Sequence, residues 1–114
     1  MKKWIVLLLM FIPAVLCAAD LSPREKEVVL AVQRYDGYGT KQSIKDNMVM
    51  YLSVTKIDHE VEVIGWGVTQ IGKSYNVKFW FKIDGKKQYA EWFYGSGSGI
   101  VDPLNYWARL FSGE

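Results

Sequence analysis

The chain has little of the side-chain chemistry that disulfides, metal centres and hydrolytic sites need. Its 114 residues include one cysteine, Cys17, and one histidine, His59. A disulfide within the chain needs two cysteines, and a structural zinc site of ordinary composition needs about four Cys or His ligands. Both are therefore excluded. A hydrolase of the Ser-His type would have to use His59 as its base.

His59 stands in the acidic stretch KIDHEVEV, between Asp58 and Glu60, with Glu62 two residues further on. Such a group attracts divalent metals weakly. Glu60 and Glu62 share one face of a strand, and no other ligand converges on them by sequence. We therefore interpret this stretch as a solvated turn before the first strand, and we predict neither a metal site nor a cofactor.

Basic and acidic side chains are nearly balanced. The formal net charge is +2, from 14 basic and 12 acidic residues. Without Lys2 and Lys3, which lie in a separable N-terminal segment, 12 basic residues face 12 acidic ones. Proteins that bind nucleic acids carry clustered Lys and Arg against the phosphates. The composition therefore predicts no nucleic-acid partner and no electrostatic docking on an anionic membrane.

The first 19 residues have the pattern of a secretory signal peptide. Lys2 and Lys3 precede an apolar stretch from Trp4 to Leu16, and Cys17-Ala18-Ala19 ends it with small residues. The stretch is shorter than the roughly 18 to 20 residues that span a bilayer, so a permanent transmembrane helix is the weaker interpretation. We expect cleavage after about Ala19, which makes residues 20–114 a single domain and the protein periplasmic or secreted, from a bacterium.

Two alternatives would attach the protein to the membrane. The leader could stay uncleaved, or Cys17 could carry acyl chains as in bacterial lipoproteins. The lipoprotein pattern has a small residue immediately before the cysteine, and Leu16 stands there. Lipidation at Cys17 is therefore the less favoured of the two.

Two helices are predicted before the strands. Ser22, Pro23 and Glu25 form a capping box, and apolar residues at helical spacing follow as far as Tyr35, so we predict a helix from about Pro23 to Tyr35. The next stretch, from about Lys41 to Ser53, repeats apolar residues at helical spacing, but MVMYLSV within it also fits a buried strand. We favour the helix.

From Glu60 the apolar period changes to two, which is typical of strands. In EVEVIGWGVTQIG, the period places Ile64, Trp66 and Val68 on one side of the first strand and Val61 and Val63 on the other. Further on, Asp84-Gly85 has the composition of a two-residue hairpin turn. That turn fixes the pairing of the two strands beside it.

Pairing Ile83 with Lys86 gives the hairpin two distinct faces. One is a core face, which pairs Phe81 with Gln88, Phe79 with Ala90, Val77 with Trp92 and Tyr75 with Tyr94. The other is amphipathic and partly exposed, and pairs Lys82 with Lys87, Trp80 with Tyr89, Lys78 with Glu91 and Asn76 with Phe93. Trp80, Tyr89 and Phe93 on this second face are the candidate binding residues.

The segment YGSGSGIVDPLNYWARLF predicts a loop, a brief strand at Ile100 and Val101, and a last helix with Asp102 as N-cap and Pro103 in its first turn. Its glycine loop fits neither a dinucleotide fingerprint, a Walker loop nor a nucleophile elbow, so we interpret it as a mobile connection. The predicted fold class is α+β: a meandering antiparallel sheet of about four strands, with two N-terminal helices and a short C-terminal helix packed on one face.

The order of elements from Ser22 to Phe111, with the IDGK hairpin and AEWFY…IVDPLN, resembles the cystatin-like and nuclear-transport-factor-like α+β folds. The inhibitory Gln-x-Val-x-Gly motif of cystatins is absent, because QIGKS at Gln70 does not match it. The resemblance therefore implies a fold and no activity.

The preferred hypothesis is a non-enzymatic exported binding protein that recognises a partner protein or a small apolar ligand through Trp80, Tyr89 and Phe93. The alternative is a small enzyme or ligand carrier with a pocket between sheet and helices. In an enzyme, Asp102, His59 or Glu91 would be the acid-base groups. A pocket lined by these residues would favour the enzyme, whereas a filled interior with exposed aromatic residues would favour binding.

Overall fold

The computed structural model describes residues 21–36 and 42–113. Its elements, in chain order, are α1 (Pro23–Arg34), α2 (Ile44–Asp58), β1 (Val61–Ile71), β2 (Ser74–Ile83), β3 (Lys86–Tyr94), β4 (Val101–Pro103) and α3 (Tyr106–Phe111). The strands form one antiparallel sheet in the order β1-β2-β3-β4. The predicted α+β class is confirmed. The predicted signal peptide, with Cys17, lies outside the described residues.

Both N-terminal helices begin at serine caps. The Ser22 hydroxyl accepts a hydrogen bond from the Glu25 backbone N–H at 3.1 Å, and the Glu25 carboxylate accepts from the Ser22 N–H at 2.8 Å, which confirms the capping box. Helix α2 begins after Ser43, whose hydroxyl accepts from the Asp46 N–H at 3.1 Å. Its buried residues recur at helical spacing, so the strand alternative was wrong, and the helix continues to Asp58 rather than ending near Ser53.

A β-bulge corrects the predicted facing of β1. The register with β2 shifts between Val63 and Gly65, where one extra residue stands on β1. The extra residue moves the following side chains to the other face. As a result Val61 and Val63 lie on the same side as Trp66 and Val68, and all four pack against the core. The period of two alone had placed them on opposite sides.

The hairpin of β2 and β3 has the predicted register at every pair, from Tyr75 with Tyr94 to Ile83 with Lys86. Its core face is buried: Val77, Phe81, Ala90 and Trp92 have no exposed surface, and Phe79 has 4 %. The helices close this face, with Val28 and Val32 from α1, Ile44 and Met48 from α2, and Phe111 from α3. No helix among the described residues is long and apolar enough to cross a membrane.

The last helix begins later than predicted. Asp102 and Pro103 belong to β4, where they pair with Phe93 and Trp92, and the N-cap of α3 is Asn105. Proline lacks an N–H, so it is acceptable on an edge strand such as β4 as well as at a helix start. The Asp-Pro motif is therefore compatible with a helix start and with an edge strand. Its pairing with β3 makes it part of a strand in this protein.

Candidate functional site

The candidate site is on the face of the sheet opposite the helices. There the register places Trp80 directly across from Tyr89, with ring centroids 4.8 Å apart and planes tilted by 42°. Trp80 is half-buried and Tyr89 is 36 % exposed. Side chains of alternating polarity on β2 and β3 produce this pairing, because one face must supply the core and the other meets water.

Two lysines lie over these rings. The Lys78 Nζ is 5.4 Å from the ring centroid of Trp80 and 4.9 Å from that of Tyr89. The Lys87 Nζ lies 4.6 Å from the Trp80 centroid. Cation–π contacts of this kind contribute about 0.5 to 1 kcal/mol at exposed sites. Lys78, Trp80, Lys87 and Tyr89 form what we call the aromatic-lysine cluster.

The positive charges of this face are not matched by ion pairs. In residues 21–36 and 42–113 the ion pairs join Arg24 with Glu27 and His59 with Asp84, both away from the cluster. Lys82 stands directly opposite Lys87, and like charges at opposed positions destabilise a sheet.

Two carboxylates stand directly opposite lysines of this face. Glu91, opposite Lys78, accepts a hydrogen bond from the Asn76 side-chain amide at 3.1 Å. Glu62 stands opposite Lys82 on β1. The ammonium groups of Lys78 and Lys87 lie over the aromatic rings rather than in ion pairs with these carboxylates.

Phe93, the third predicted site residue, shares the face but not the cluster. It pairs with Asn76 on one side and Asp102 on the other. It lies four residues from Tyr89 along β3, which corresponds to roughly 13 Å. Among the described residues its ring makes no contact with those of Trp80 or Tyr89. The structure therefore brings together two of the three predicted residues.

Sequence reasoning missed the role of the lysines. It considered only the direct pairs, Lys78 with Glu91 and Lys82 with Lys87. The same register places Lys78 diagonally from Tyr89, and Lys87 diagonally from Trp80. Diagonal neighbours in a sheet are about 7 to 8 Å apart, within reach of a long side chain. This diagonal spacing was the sequence signal that could have predicted the contacts between the lysines and the rings.

The groups proposed for an enzyme do not converge. The His59 Nδ1 lies 2.6 Å from an Asp84 carboxylate oxygen, beside the turn between β2 and β3. Glu91 lies five residues along β3 from Lys86 at that turn, which corresponds to roughly 17 Å. Asp102 is exposed on β4, across from Phe93. Within the described part of the chain, no three His, Cys, Asp or Glu residues are grouped to hold a metal ion.

Asp84 joins the hairpin turn to the start of β1. One of its carboxylate oxygens accepts from the Glu60 backbone N–H at 2.9 Å, and the other contacts His59. Its own N–H donates to the Glu60 carbonyl at 2.8 Å. The hydrogen bond from the Glu60 N–H, followed by the contact with His59, lowers the pKa of Asp84 below its ordinary value.

This lowered pKa predicts an acid-sensitive contribution to stability. A carboxylate whose pKa is lower in the folded state stabilises the fold above the ordinary carboxyl pKa of about 4. The contribution disappears as the pH falls through the lower, folded-state pKa. We expect Asp84→Asn to lower the urea midpoint at neutral pH and to flatten its decline in acid. Asparagine also tolerates the φ of 52° at this position. If the urea midpoints of the variant and the wild type change with pH in parallel, Asp84 is not the source of this acid sensitivity.

The glycine loop is a closed turn. The Gly95 N–H donates to the Ile100 carbonyl at 2.9 Å, and the Gly99 N–H donates to the Gly95 carbonyl at 2.7 Å. The Ser96 hydroxyl donates to the Lys73 carbonyl in the turn between β1 and β2. The Ser98 hydroxyl accepts a hydrogen bond from the Ile100 N–H, so both serines have partners within the protein, and Gly99 supplies the positive φ of 74° that the turn requires.

The site consists, then, of paired aromatic rings and of lysines that form no ion pair within the described residues, on the outer face of the sheet. Such a surface can hold a partner by contact, and it presents no nucleophile and base together. No family model, curated protein or solved structure matches the chain, so the resemblance to cystatin-like and nuclear-transport-factor-like folds stays a prediction.

Proposed function

We propose that this protein is an exported, non-enzymatic binding domain of the bacterial envelope, and that it recognises a partner protein through the aromatic-lysine cluster and Phe93. The observation that carries the proposal is the cluster itself: the Trp80 and Tyr89 rings are in contact across strands on the face away from the helices, and Lys78 and Lys87 lie over them. Tryptophan and tyrosine are the residues that dominate binding energy in protein interfaces.

A partner protein fits this surface better than a small apolar ligand. Small ligands are held in concave pockets that bury most of their surface. The region between sheet and helices, where such a pocket would have to be, is filled by aromatic rings in mutual contact, with Phe81, Trp92 and Phe111 fully buried. The same filled interior disfavours the alternative of an enzyme or ligand carrier.

A second surface competes with the cluster for the partner. Helix α2 exposes four large aliphatic side chains, those of Val49, Met50, Val54 and Ile57, and Ile57 is 77 % exposed. Exposed apolar groups also mark interaction sites. The cluster differs in combining aromatic rings with fixed charge, which supplies orientation as well as contact area. A matched pair of variants separates the two surfaces.

We expect Trp80→Ala with Phe93→Ala to weaken binding to the physiological partner by at least about thirtyfold, because interface tryptophans contribute about 2 kcal/mol or more. The partner would be recovered from envelope extract and identified by mass spectrometry. The complex of the purified partner with the purified protein would then be reconstituted. Calorimetric titration of that complex gives the affinity of each variant.

Ile57→Ser is the control variant, since it changes the α2 surface and leaves the sheet untouched. We expect it to bind as the wild type does. If Ile57→Ser weakens the complex while the double variant does not, the partner docks on α2 and the proposal is wrong. Measured turnover of a substrate by the purified protein would overturn its non-enzymatic part.

A further inference from the structure

The two edges of the sheet differ in how they are protected against pairing with another chain. At one edge, β4 is three residues long and contains Pro103 and the exposed Asp102. Short length, proline and charge are devices that keep an edge strand from pairing. At the other edge, β1 runs over 11 residues from Val61 to Ile71, without proline, and its single charged side chain is that of Glu62. Its bulge, a further such device, lies near its start, and the stretch beyond the bulge is regular.

The backbone of this regular stretch has hydrogen-bonding groups that β2 does not use. The two-residue turn after β1 is closed by a hydrogen-bonded pair, Ile71 with Ser74. Hydrogen-bonded and non-hydrogen-bonded pairs alternate in an antiparallel ladder, so Trp66, Val68 and Gln70 turn their N–H and C=O groups away from β2. Among the residues that the structure describes, no backbone hydrogen bond from outside the ladder of β1 and β2 reaches these three. The edge is therefore open to another strand.

The side chains along this edge complement those of the same strand in reverse. On the outer face, Gly65 and Gly67 are followed by Thr69 and Ile71, and the latter two are exposed. If Val68 lies on a two-fold axis, a reversed copy places Ile71 against Gly65 and Thr69 against Gly67. A large side chain across from a strand glycine covers it, and such cross-strand pairs are the contacts that stabilise a sheet. The strand that fits this edge is therefore a second copy of itself.

Charge determines the orientation of the second copy. The stretch from Gly65 to Ile71 has no charged side chain, and the nearest charged residues on β1 and in its turn are Glu62 before it and Lys73 after it. Antiparallel pairing brings the Lys73 end of one copy to the Glu62 end of the other, so that opposite charges meet. Parallel pairing would instead place each of these residues beside its own copy, and like charges side by side repel.

We propose that two copies of this protein pair antiparallel along β1, about a two-fold axis at Val68, to form one continuous sheet. Trp66 of each copy exchanges backbone hydrogen bonds with Gln70 of the other, and the two Val68 residues do so with each other. The interface is isologous, because the same strand serves both copies, and it closes at the dimer. This inference goes beyond the proposed function and does not depend on it.

The dimer has a consequence for the aromatic-lysine cluster. Antiparallel pairing of β1 with its copy places the two-fold axis perpendicular to the sheet, so both clusters lie on the same face of the joined sheet. A partner that offers two copies of the recognised surface can then be held at both clusters, and its avidity exceeds the affinity of one site. This consequence rests on the proposed function, whereas the dimer itself does not.

Sedimentation equilibrium over a series of protein concentrations tests the dimer, with the full protein as the cell produces it. We expect a reversible equilibrium between monomer and dimer, without larger species, because pairing of the two β1 edges uses both of them. A monomer at every concentration would overturn the inference, and so would an assembly that continues to grow beyond the dimer.

Gln70→Pro tests the edge, and Gln70→Ala is its matched control. Proline removes the N–H that points to the second copy and leaves the ladder with β2 intact, which is why edge strands tolerate it. Both variants lose the hydrogen bond from the exposed Gln70 side chain to the Gly72 carbonyl, so they differ in the backbone N–H. We expect the dimer dissociation constant to rise at least about tenfold for Gln70→Pro and to stay within about twofold for Gln70→Ala. Equal dissociation constants for the two variants would contradict pairing along β1.

Amide hydrogen exchange of the wild type provides a second test that needs no variant, so misfolding of Gln70→Pro cannot hide the answer. The N–H groups of Trp66 and Val68 should exchange more slowly as the protein concentration rises, because only the dimer gives them acceptors. The Thr69 N–H, which is bonded to β2, should be protected at low and high concentration alike. Exchange at Trp66 and Val68 that does not depend on concentration would overturn the inference.

The exposed apolar surface of α2 is the competing site for a dimer, and Ile57→Ser separates the two. We expect Ile57→Ser to dimerise as the wild type does. A dimer that Ile57→Ser dissociates and Gln70→Pro leaves intact would place the interface on α2 and overturn pairing along β1. Each of these failures would leave the proposed function standing, because its test measures binding of the natural partner after changes at Trp80 and Phe93.

Discussion

Trp92→Ala is expected to lower the free energy of unfolding by about 3 to 5 kcal/mol, the range for an aromatic side chain removed from a core. Trp92 has no exposed surface, and its ring is stacked 5.9 Å from Trp66 and 6.4 Å from Phe111. The ring thereby joins β1, β3 and α3. Natural domains are stable by about 5 to 15 kcal/mol, so this change removes a large share of the total. Urea unfolding followed by far-UV circular dichroism measures the loss.

A smaller substitution separates packing from hydrogen bonding at Trp92. Its indole N–H donates to the Ser112 hydroxyl at 3.0 Å, and both groups are buried. Trp92→Phe keeps most of the aromatic volume and leaves the hydroxyl without its donor, which costs about 1 to 3 kcal/mol.

Trp80→Ala is the surface control, because Trp80 is half-buried on the other face of the sheet. It should cost about 1 kcal/mol or less, through lost contact with Tyr89 and the two lysines. If it destabilised the domain as much as Trp92→Ala does, the cluster would be part of the folding core and its case as a binding site would weaken.

The sequence predicted the hairpin of β2 and β3 to the residue because two independent signals agree there. The Asp84-Gly85 turn sets the register, and the alternation of apolar residues confirms which face is buried. The same agreement predicted the pair Trp80 and Tyr89. The first helix could also be predicted from the sequence, since a capping box marks its start.

Features that depend on tertiary contacts were missed. The bulge after Val63 follows from a local shift in pairing with β2, and no period in the sequence marks an extra residue.

Asn105→Ala is expected to lower the free energy of unfolding by about 2 kcal/mol, the upper part of the range for helix caps. The Asn105 side-chain oxygen accepts from the Ala108 N–H at 3.1 Å, which caps α3, and from the Glu91 N–H at 3.1 Å. Its amide donates to the Tyr89 carbonyl at 2.9 Å. One side chain thus continues the edge pairing of β3 where β4 has ended. Chemical denaturation in urea measures the loss.

Asp102→Ala is the decisive comparison, because the sequence pattern made Asp102 the helix cap and the structure places it in β4. We expect its loss to be smaller than that of Asn105→Ala, because alanine keeps the backbone pairing of residue 102 with Phe93. Asn105→Asp should fall between the two alanine variants, since a carboxylate keeps both acceptor contacts and cannot donate to the Tyr89 carbonyl. A larger loss for Asp102→Ala than for Asn105→Ala would indicate that the last helix begins at Pro103 with Asp102 as its cap. It would contradict the role given to Asn105 at the edge of β3.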